Sequence, residues 1–380
     1  MNSRWDQKHS ARNAGRTGDR SIPLKVLVVD DSATVRQVLA AVLSEERGFR
    51  VTVAADPLIA MEKMKKSLPD VILLDLEMPR MNGLTFLRKL MADNPLPVVV
   101  CSSLTGPNTD GAIQALENGA VDVITKPQIG VRGFLEESAV QLEDAVRGAA
   151  AARLRKPLRP RPLSIEGAWA QERLPRLRES STHSERIIAL GASTGGTEAL
   201  LHLFERMPAD CPGIVAVQHM PEGFTAAFAR RLDNSCEIEV REAADGDTVV
   251  LGRAYIAPGN RHMRVLRSGS TYFLEVRDGA LVSRHRPSVD VLFRSVAEAA
   301  GPGAVGVLMT GMGDDGAEGL LEMKQANAFT IAQDEATSVV FGMPREAILR
   351  GAAEDVLPLH RIPGAIKQWT NTPPRSPSGR

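Results

Sequence analysis

The sequence has little of what secreted and membrane-embedded proteins contain. Three cysteines occur in 380 residues, and they are too few and too far apart for a disulfide framework or a cysteine-ligated metal: Cys101, Cys211 and Cys236. No apolar stretch approaches the roughly 20 residues of a membrane-spanning helix. Residues 1–20 also lack the apolar segment of a secretory signal. These absences predict a cytoplasmic protein that is not inserted into a membrane.

An excess of either charge is missing as well. The 46 basic residues are balanced by 46 acidic residues, so no overall field attracts nucleic acid. Aromatic residues make up 4% of the chain, and none is interleaved with the arginine cluster at 153–161. Proteins that bind single-stranded nucleic acid usually stack its bases on such aromatics. We therefore expect no nucleic-acid partner.

Two segments alternate short apolar runs with helical patterns. In residues 24–147 the runs predict strands at 25–29, 51–53, 71–74, 97–101 and 121–124. In residues 186–369 they predict strands at 187–190, 213–218, 238–241, 254–257, 272–276, 304–310 and 329–332. Strands that alternate with helices pair in parallel. The fold class is therefore α/β, with two doubly wound parallel-sheet domains.

Three further segments lack this alternation. Residues 148–185 combine arginines with prolines, which predicts a linker that resists compaction. Residues 1–23 are polar and basic, and residues 370–380 are rich in proline, serine and arginine. Both ends are expected to be disordered.

Acidic residues meet at one edge of the first predicted sheet. Asp30 and Asp31 follow the first strand, and Asp75 ends the third. Three converging carboxylates repel one another unless a cation joins them, and Mg²⁺ suits an all-oxygen site that keeps waters. Ser102 and Lys126 end the fourth and fifth strands, where they suit a phosphoryl group on Asp75. Taken alone, Asp30 and Asp31 could equally be helix-capping acids.

This pattern resembles a response-regulator receiver domain, above all in the run from Asp75 to Leu84. The resemblance implies a flavodoxin-like sheet with Asp75 as phospho-acceptor and Ser102 and Lys126 as switch residues. It also implies a histidine kinase as phosphodonor. Magnesium would be held by Asp30, Asp31, Asp75 and the backbone carbonyl of Glu77. Where receivers commonly have an aromatic switch residue this chain has Val123, which makes aromatic-gated switching doubtful.

The second domain opens with a strand that ends in a serine turn. Gly191-Ala192-Ser193-Thr194-Gly195 fits the G-x-S-x-G elbow of serine hydrolases, in which glycines allow a sharp turn and close approach of substrate. The same pattern also fits an ordinary glycine-rich turn or a phosphate cradle. His219 follows the next strand and is the best placed of the seven histidines to act as a base, although it could be a structural histidine.

An acidic turn follows the strand at 304–308. Asp315 or Asp314 could orient His219, in the way that an acid completes a serine triad. Gly311, Gly313 and Gly316 also spell a dinucleotide fingerprint, but the two aspartates would lie where a pyrophosphate must bind. His262 and His285 suit substrate contacts or surface positions.

The second segment resembles the catalytic domain of chemotaxis protein-glutamate methylesterases. The motifs that carry the resemblance are Gly191–Glu198, Gln218–Pro221, Ala257–Asn260, Arg286–Asp290 and Thr310–Gly316. It implies a Rossmann-like domain with Ser193 as nucleophile, His219 as base and Asp315 as the third member. Oxyanion-hole candidates are Thr194, Gly195, Gly196 and Met312.

The resemblance further implies hydrolysis of methyl esters on methyl-accepting chemotaxis receptors, and deamidation of their glutamines. The esterase step would need no cofactor, and the receiver would control access to the catalytic domain. The rival interpretation is a receiver-controlled binding module in which Ser193 is merely structural.

Overall fold

The computed structural model describes residues 22–103, 108–126, 132–154 and 183–373. Most of the expected N-terminal extension, linker and C-terminal tail lies outside these ranges, so those three expectations stay predictions. Within the described part of the chain, no helix is both long and apolar enough to cross a membrane.

The N-terminal domain contains a five-stranded parallel sheet in the order β2-β1-β3-β4-β5. Strands and helices alternate along the chain, as the sequence predicts. Their bounds are β1 Leu24–Val29, α1 Ala33–Val42, β2 Phe49–Ala54, α2 Pro57–Lys66, β3 Val71–Asp75, α3 Gly83–Asp93, β4 Val98–Ser102, α4 Asn108–Glu117, β5 Asp122–Thr125 and α5 Arg132–Ala151.

Local sequence signals set these elements. The strand β3 is buried on both faces at every residue, which explains its unbroken apolar run. Helix α2 begins where Asp56 accepts hydrogen bonds from two backbone amides and Pro57 occupies the first turn. Helix α5 continues to Ala151, beyond the predicted domain end at residue 147.

The C-terminal domain contains a seven-stranded parallel sheet in the order β14-β13-β12-β6-β7-β9-β8. Its elements are β6 Ile187–Ala192, α6 Gly196–Phe204, β7 Gly213–Gln218, α7 Phe224–Ser235, β8 Glu239–Glu242, β9 Arg253–Ile256, β10 His262–Ser268, β11 Thr271–Arg277, α8 Val289–Ala300, β12 Ala304–Leu308, α9 Ala317–Gln325, β13 Phe329–Gln333, α10 Met343–Leu349, β14 Asp355–Leu357 and α11 Ile362–Thr370.

One predicted strand lies elsewhere than expected. The run at 272–276 is wrong as a member of the open sheet, because β11 pairs antiparallel with β10 in a separate two-stranded hairpin. Apolar residues alternate along both strands and pack one face of the hairpin onto the core: Met263, Val265, Tyr272, Leu274 and Val276. This period-2 alternation is typical of an antiparallel hairpin with one buried face.

Each sheet has a point where its strand order reverses, between β1 and β3 and between β6 and β12. Loops diverge there and leave a crevice at the carboxyl ends of the strands. The crevice of the first sheet receives Asp30 and Asp75, and that of the second receives Ser193 and the segment 309–315. Both predicted sites therefore lie where this fold binds ligands.

The two domains pack against each other. Small residues near the end of α5 (Ala145, Ala149 and Ala152) belong to one apolar cluster with Val340. Partly buried Met312 and Val339 pack against this cluster. The end of α5 therefore lies over the loops that surround Ser193.

We expect Gly83→Ala to destabilise the N-terminal domain, because the new Cβ would overlap the backbone carbonyl of Asp75. Overpacking of this kind costs about 1–3 kcal/mol. The matched control is Gly111→Ala on α4, where the Cβ would lie 3.7 Å from Leu76 Cδ1, an ordinary contact. Urea unfolding should show a lower midpoint for the first variant only. Equal midpoints would contradict this description of the turn after β3.

Candidate active site and phosphoryl site

Ser193 lies directly after β6 in a turn that leaves no room for larger residues. Its amide donates to the Thr310 carbonyl at 3.0 Å, which ties the turn to the end of β12. Gly195 has a φ of 78°, in the left-handed region. The side-chain amide of Gln218 donates a hydrogen bond from Nε2 to the backbone carbonyl of Ser193 at 2.9 Å. A Cβ on Gly196 would overlap the Gln218 side chain. These glycines and Gln218 fix the Ser193 backbone.

His219 and Asp315 form a buried pair beside this turn. The His219 Nε2 atom lies 2.8 Å from Asp315 Oδ2, and their side chains are 8% and 0% exposed. An ionised carboxylate only accepts hydrogen bonds, so Nε2 carries the proton and Nδ1 keeps a free lone pair. Nδ1 has no hydrogen-bond partner among the described residues, Ser193 included. In this state the Nδ1 atom of His219 is therefore free to accept a proton and is not hydrogen-bonded to Ser193.

Asp315 is held at the N-terminus of α8. It accepts hydrogen bonds from the Ser288 hydroxyl at 2.7 Å and from the amides of Val289 and Asp290 at 2.7 and 3.1 Å. Burial acts to raise the pKa of Asp315, but the hydrogen bond from His219 and the positive charge of that ring when it is protonated outweigh this effect and hold the pKa below its usual range. The acid is thus ionised and cannot rotate freely.

Asp314 has a different environment from Asp315. Its carboxylate lies 3.0 Å from Arg350 Nη2, and its side chain is 48% exposed. Of the two acids that the sequence left open, Asp315 is the one that contacts His219.

His262 is buried inside the domain, and His285 is only partly exposed. The Nδ1 atom of His262 accepts a hydrogen bond from the backbone amide of Ser288, and its Nε2 atom donates one to the backbone carbonyl of Ala280. His285 stacks on His219, with ring centroids 3.8 Å apart and planes inclined by 13°. Burial and the neighbouring His219 lower the pKa of His285 to about 3, so its ring is neutral.

The expected oxyanion donors differ in availability. The Gly196 amide already donates to the Ser193 carbonyl at 2.7 Å, which removes it from the set of free donors in this state. The amides of Thr194, Gly195 and Met312 have no acceptor in the described part of the chain. These three groups can still bind a developing negative charge.

The acidic cluster of the N-terminal domain forms as the sequence predicts. Carboxylate oxygens of Asp30, Asp31 and Asp75 lie within 4.8 Å of one another. Lys126 Nζ lies 2.7 Å from Asp75 Oδ2 and 3.0 Å from Asp30 Oδ2. Burial raises the pKa of Asp75, and the Lys126 ammonium only partly offsets this effect. Ser102 is buried at the end of the neighbouring strand β4.

These residues fit Mg²⁺ by their chemistry. The side-chain donors are all carboxylate oxygens. Within the described part of the chain, the buried Oδ2 atoms of Asp30 and Asp75 accept no hydrogen bond beyond their contact with Lys126. The backbone amide of Glu77 donates to Asp75 Oδ1 at 3.1 Å, which places the Glu77 segment beside the cluster.

A cavity of about 210 Å³ lies between the two domains at the predicted triad. Ser193, His219 and His285 line one side, and Asp122 and Val123 of β5 line the other. The Thr194 hydroxyl donates to Asp122 Oδ2 at 3.0 Å across the interface. Burial raises the pKa of Asp122 to about 6. Ser193, which is 8% exposed, thus lies at the interface with the N-terminal domain.

The sequence interpretation missed several residues that shape this site. Gln218 could have been found from the sequence, because it directly precedes His219 in the motif Gln218–Pro221. Ser288 could have been found as well, because it directly precedes the helical pattern of α8. No sequence pattern indicated Asp122, since its contact with Thr194 depends on how the two domains dock.

Ser288→Ala should lower stability by about 1–2 kcal/mol, the usual effect of losing a helix N-cap. The Ser288 hydroxyl accepts from the Val291 amide and donates to Asp315. The lowered pKa of Asp315 stabilises the fold only while the acid is ionised, so the difference should shrink as the pH falls below about 4. Ser235→Ala, at the exposed end of α7, is the control. Equal urea midpoints for both variants at pH 7 would contradict the expectation.

Comparison with known proteins matches both domains. The family model "CheB methylesterase" covers residues 188–366, and the "Response regulator receiver domain" model covers residues 26–132. Protein-glutamate methylesterase/protein-glutamine glutaminase 5 of Anaeromyxobacter dehalogenans is 61% identical over 349 residues, covering 91% of this chain and 96% of the relative. Enzyme 3 of the same name from Geobacter metallireducens is 56% identical over 351 residues, covering 89% and 97%.

A solved structure is similar to the C-terminal domain. The Thermotoga maritima CheB methylesterase catalytic domain is 38% identical and covers 48% of this chain and 97% of that domain, with a TM-score of 0.47. Both family models lie within the two α/β domains, and the full-length relatives are more than half identical over about nine-tenths of the chain. The chain therefore belongs to the protein-glutamate methylesterase/protein-glutamine glutaminase family, with a receiver domain followed by a methylesterase domain.

Proposed function

We propose that this protein hydrolyses glutamyl methyl esters on methyl-accepting chemotaxis receptors, and that phosphorylation of its receiver domain controls the reaction. The observation that carries the chemistry is the buried His219–Asp315 pair beside Ser193, at the reversal point of the C-terminal sheet. The names of the relatives support the substrate class. The cytoplasm remains the expected compartment.

The reaction begins at the Ser193 hydroxyl. Its oxygen attacks the ester carbonyl while His219 Nδ1 takes the proton, and the buried carboxylate of Asp315 stabilises the resulting imidazolium. The proton then passes to the leaving methoxide, which departs as methanol and leaves a glutamyl ester on Ser193. Water, deprotonated by the same histidine, hydrolyses this ester to free glutamate and restores the serine.

Two further features belong to this mechanism. The free amides of Thr194, Gly195 and Met312 are the proposed donors to the tetrahedral oxyanion. Deamidation of a receptor glutamine follows the same acyl transfer, with ammonia as the leaving group in place of methanol.

Control follows from the covered position of Ser193. Ser193 is 8% exposed and lines a cavity whose other wall belongs to the N-terminal domain, so we expect the domains to separate when a receptor side chain enters. We assign Asp75 as phospho-acceptor, with a chemotaxis histidine kinase as donor. Asp30, Asp31, Asp75 and the Glu77 carbonyl would hold Mg²⁺, which offsets charge on the transferred phosphoryl oxygens when bound.

Strand β5 connects the two sites. Lys126 follows its last residue and pairs with Asp75, whereas Asp122 at its start accepts the hydrogen bond from Thr194. A phosphoryl group on Asp75 adds nearly two negative charges and competes for Lys126 and the Ser102 hydroxyl. A shift of β5 would weaken the contact at Asp122, and a few kcal/mol is enough to change the docked population strongly.

The neighbouring aspartates provide a matched test of the triad. Asp315→Asn should reduce methanol release from methyl-labelled receptor membranes by 100-fold or more, because the neutral amide no longer fixes the proton on Nε2 of His219. Asp314→Asn should change it by less than about threefold, since the Asp314 carboxylate pairs with the partly exposed Arg350 and not with His219. Both are assayed with acetyl phosphate and Mg²⁺. Equal rates for the two variants would contradict the assignment, and no release from wild type would contradict the proposed substrate.

A larger side chain at the interface between the two domains tests whether their docking inhibits the enzyme. A Cβ on Gly148 would lie 3.0 Å from Thr194 Oγ1 and 3.5 Å from Met312 Cβ, so Gly148→Leu cannot fit the docked arrangement. We expect unphosphorylated methanol release to rise at least fivefold while the phosphorylated rate changes little. Gly364→Leu on α11, where nothing lies within 4 Å of a new Cβ, is the matched control. An unphosphorylated rate that stays at the wild-type value in Gly148→Leu would overturn gating by docking.

A further inference from the structure

A second histidine stacks on the proposed base and, among the described residues, makes no hydrogen bond to the proposed acid or nucleophile. The rings of His285 and His219 are nearly parallel, with centroids 3.8 Å apart. Both rings line the cavity that also contains Ser193. The triad chemistry described above does not use this second ring.

The loop that carries His285 is strained and firmly held. Ser283 and Arg284 have φ values of 49° and 69°, a left-handed conformation that non-glycine residues rarely adopt. The Ser283 hydroxyl donates to Asp290 Oδ2 at 2.9 Å, and the backbones of Val282 and His285 exchange hydrogen bonds at 3.1 and 2.9 Å. Such strain persists only where surrounding contacts enforce it, and it often accompanies a functional constraint.

The other side of the loop is held equally well. Arg286 donates from Nε and Nη2 to Asn260 Oδ1 at 2.9 and 2.7 Å. The backbone amide of Asn260 donates in turn to the backbone carbonyl of Arg286 at 3.2 Å. His285 is therefore a fixed surface against which a neighbouring ring can rest.

His219 needs such a surface. Its only side-chain hydrogen bond among the described residues joins Nε2 to Asp315. One hydrogen bond fixes one point of a ring and still allows the ring to tilt about that point. Tilting would move Nδ1 away from Ser193, and displacement by about 1 Å can cost a hundredfold in rate.

We propose that His285 is a positioning residue whose flat face holds the His219 ring in the plane that presents Nδ1 to Ser193. This inference rests on the proposed role of His219 as the base for Ser193. The stacking face matters for this role, and the nitrogen atoms of His285 do not.

The neutral state of the His285 ring is consistent with a role in positioning His219 rather than in accepting a proton. Two stacked imidazoles repel each other when both are imidazolium cations, and burial together with the neighbouring His219 lowers the pKa of His285 to about 3. The proton taken from Ser193 therefore stays on His219, where Asp315 stabilises it. His285 is too weak a base to compete for it.

The test compares His285→Phe, which keeps a flat aromatic face, with His285→Leu, which fills a similar volume without one. Methanol release is measured on the full chain with acetyl phosphate and Mg²⁺. We expect the Leu variant to lose tenfold to a hundredfold in kcat with KM within about twofold, and the Phe variant to retain kcat within about threefold. Thermal melting confirms that each variant is folded. His285→Gln replaces any variant that is not, and we expect it to resemble the Leu variant.

Two results would overturn the proposal. A Phe variant as slow as the Leu variant would mean that a nitrogen of His285 is needed, and a Leu variant as fast as wild type would mean that the stack does nothing. The rate of Ser193 modification by a fluorophosphonate is measured in parallel, because it depends on the base but not on the receptor. Wild type that reacts with the probe yet releases no methanol would sink the proposed substrate, while the ratios between variants would still test His285.

Discussion

The arrangement of the catalytic domain depends on the buried carboxylate of Asp315. A charge with no solvent exposure is tolerated only when its oxygens are fully satisfied. Four donors do so: His219 Nε2, the Ser288 hydroxyl and two amides at the start of α8. These contacts join the ends of β7 and β12 to a helix that follows the antiparallel hairpin. The requirement to satisfy one charge thus aligns the base with the turn that carries Ser193.

A second constraint concerns access. The proposed nucleophile, Ser193, would have to meet a receptor side chain, yet it lies at the interface with the receiver, next to the end of α5 and the contact between Asp122 and Thr194. Burying the carboxylate of Asp122 raises its pKa to about 6, so this contact holds a charge at some energetic cost. An interface of this kind is well suited to a switch, because a modest perturbation at the other end of β5 can release it. Catalysis and control therefore meet at Thr194, the residue after the nucleophile.

Much of this site could be predicted from the sequence, for a geometric reason. In a parallel sheet the residues that follow the strands converge at one edge, so Ser193, His219 and the acids at 314 and 315 could be grouped from the strand ends, as could Asp30, Asp75 and Lys126. The choice of Asp315 over Asp314 came from the resemblance to the methylesterase family. The stacking of His285 could not, because it depends on two left-handed residues in the loop before it. Asp122 and Gly148 were also beyond prediction, since their contacts exist only once the domains dock.

The most direct test of the account measures access to Ser193 itself. A bulky fluorophosphonate is reacted with the full chain before and after addition of acetyl phosphate and Mg²⁺, with Asp75→Asn as the control. The account predicts slow modification of Ser193 at rest and a rise of about tenfold or more on phosphorylation, which the Asp75→Asn variant lacks. Equally fast modification in both states would show that the receiver does not cover the nucleophile in solution, and would contradict the account.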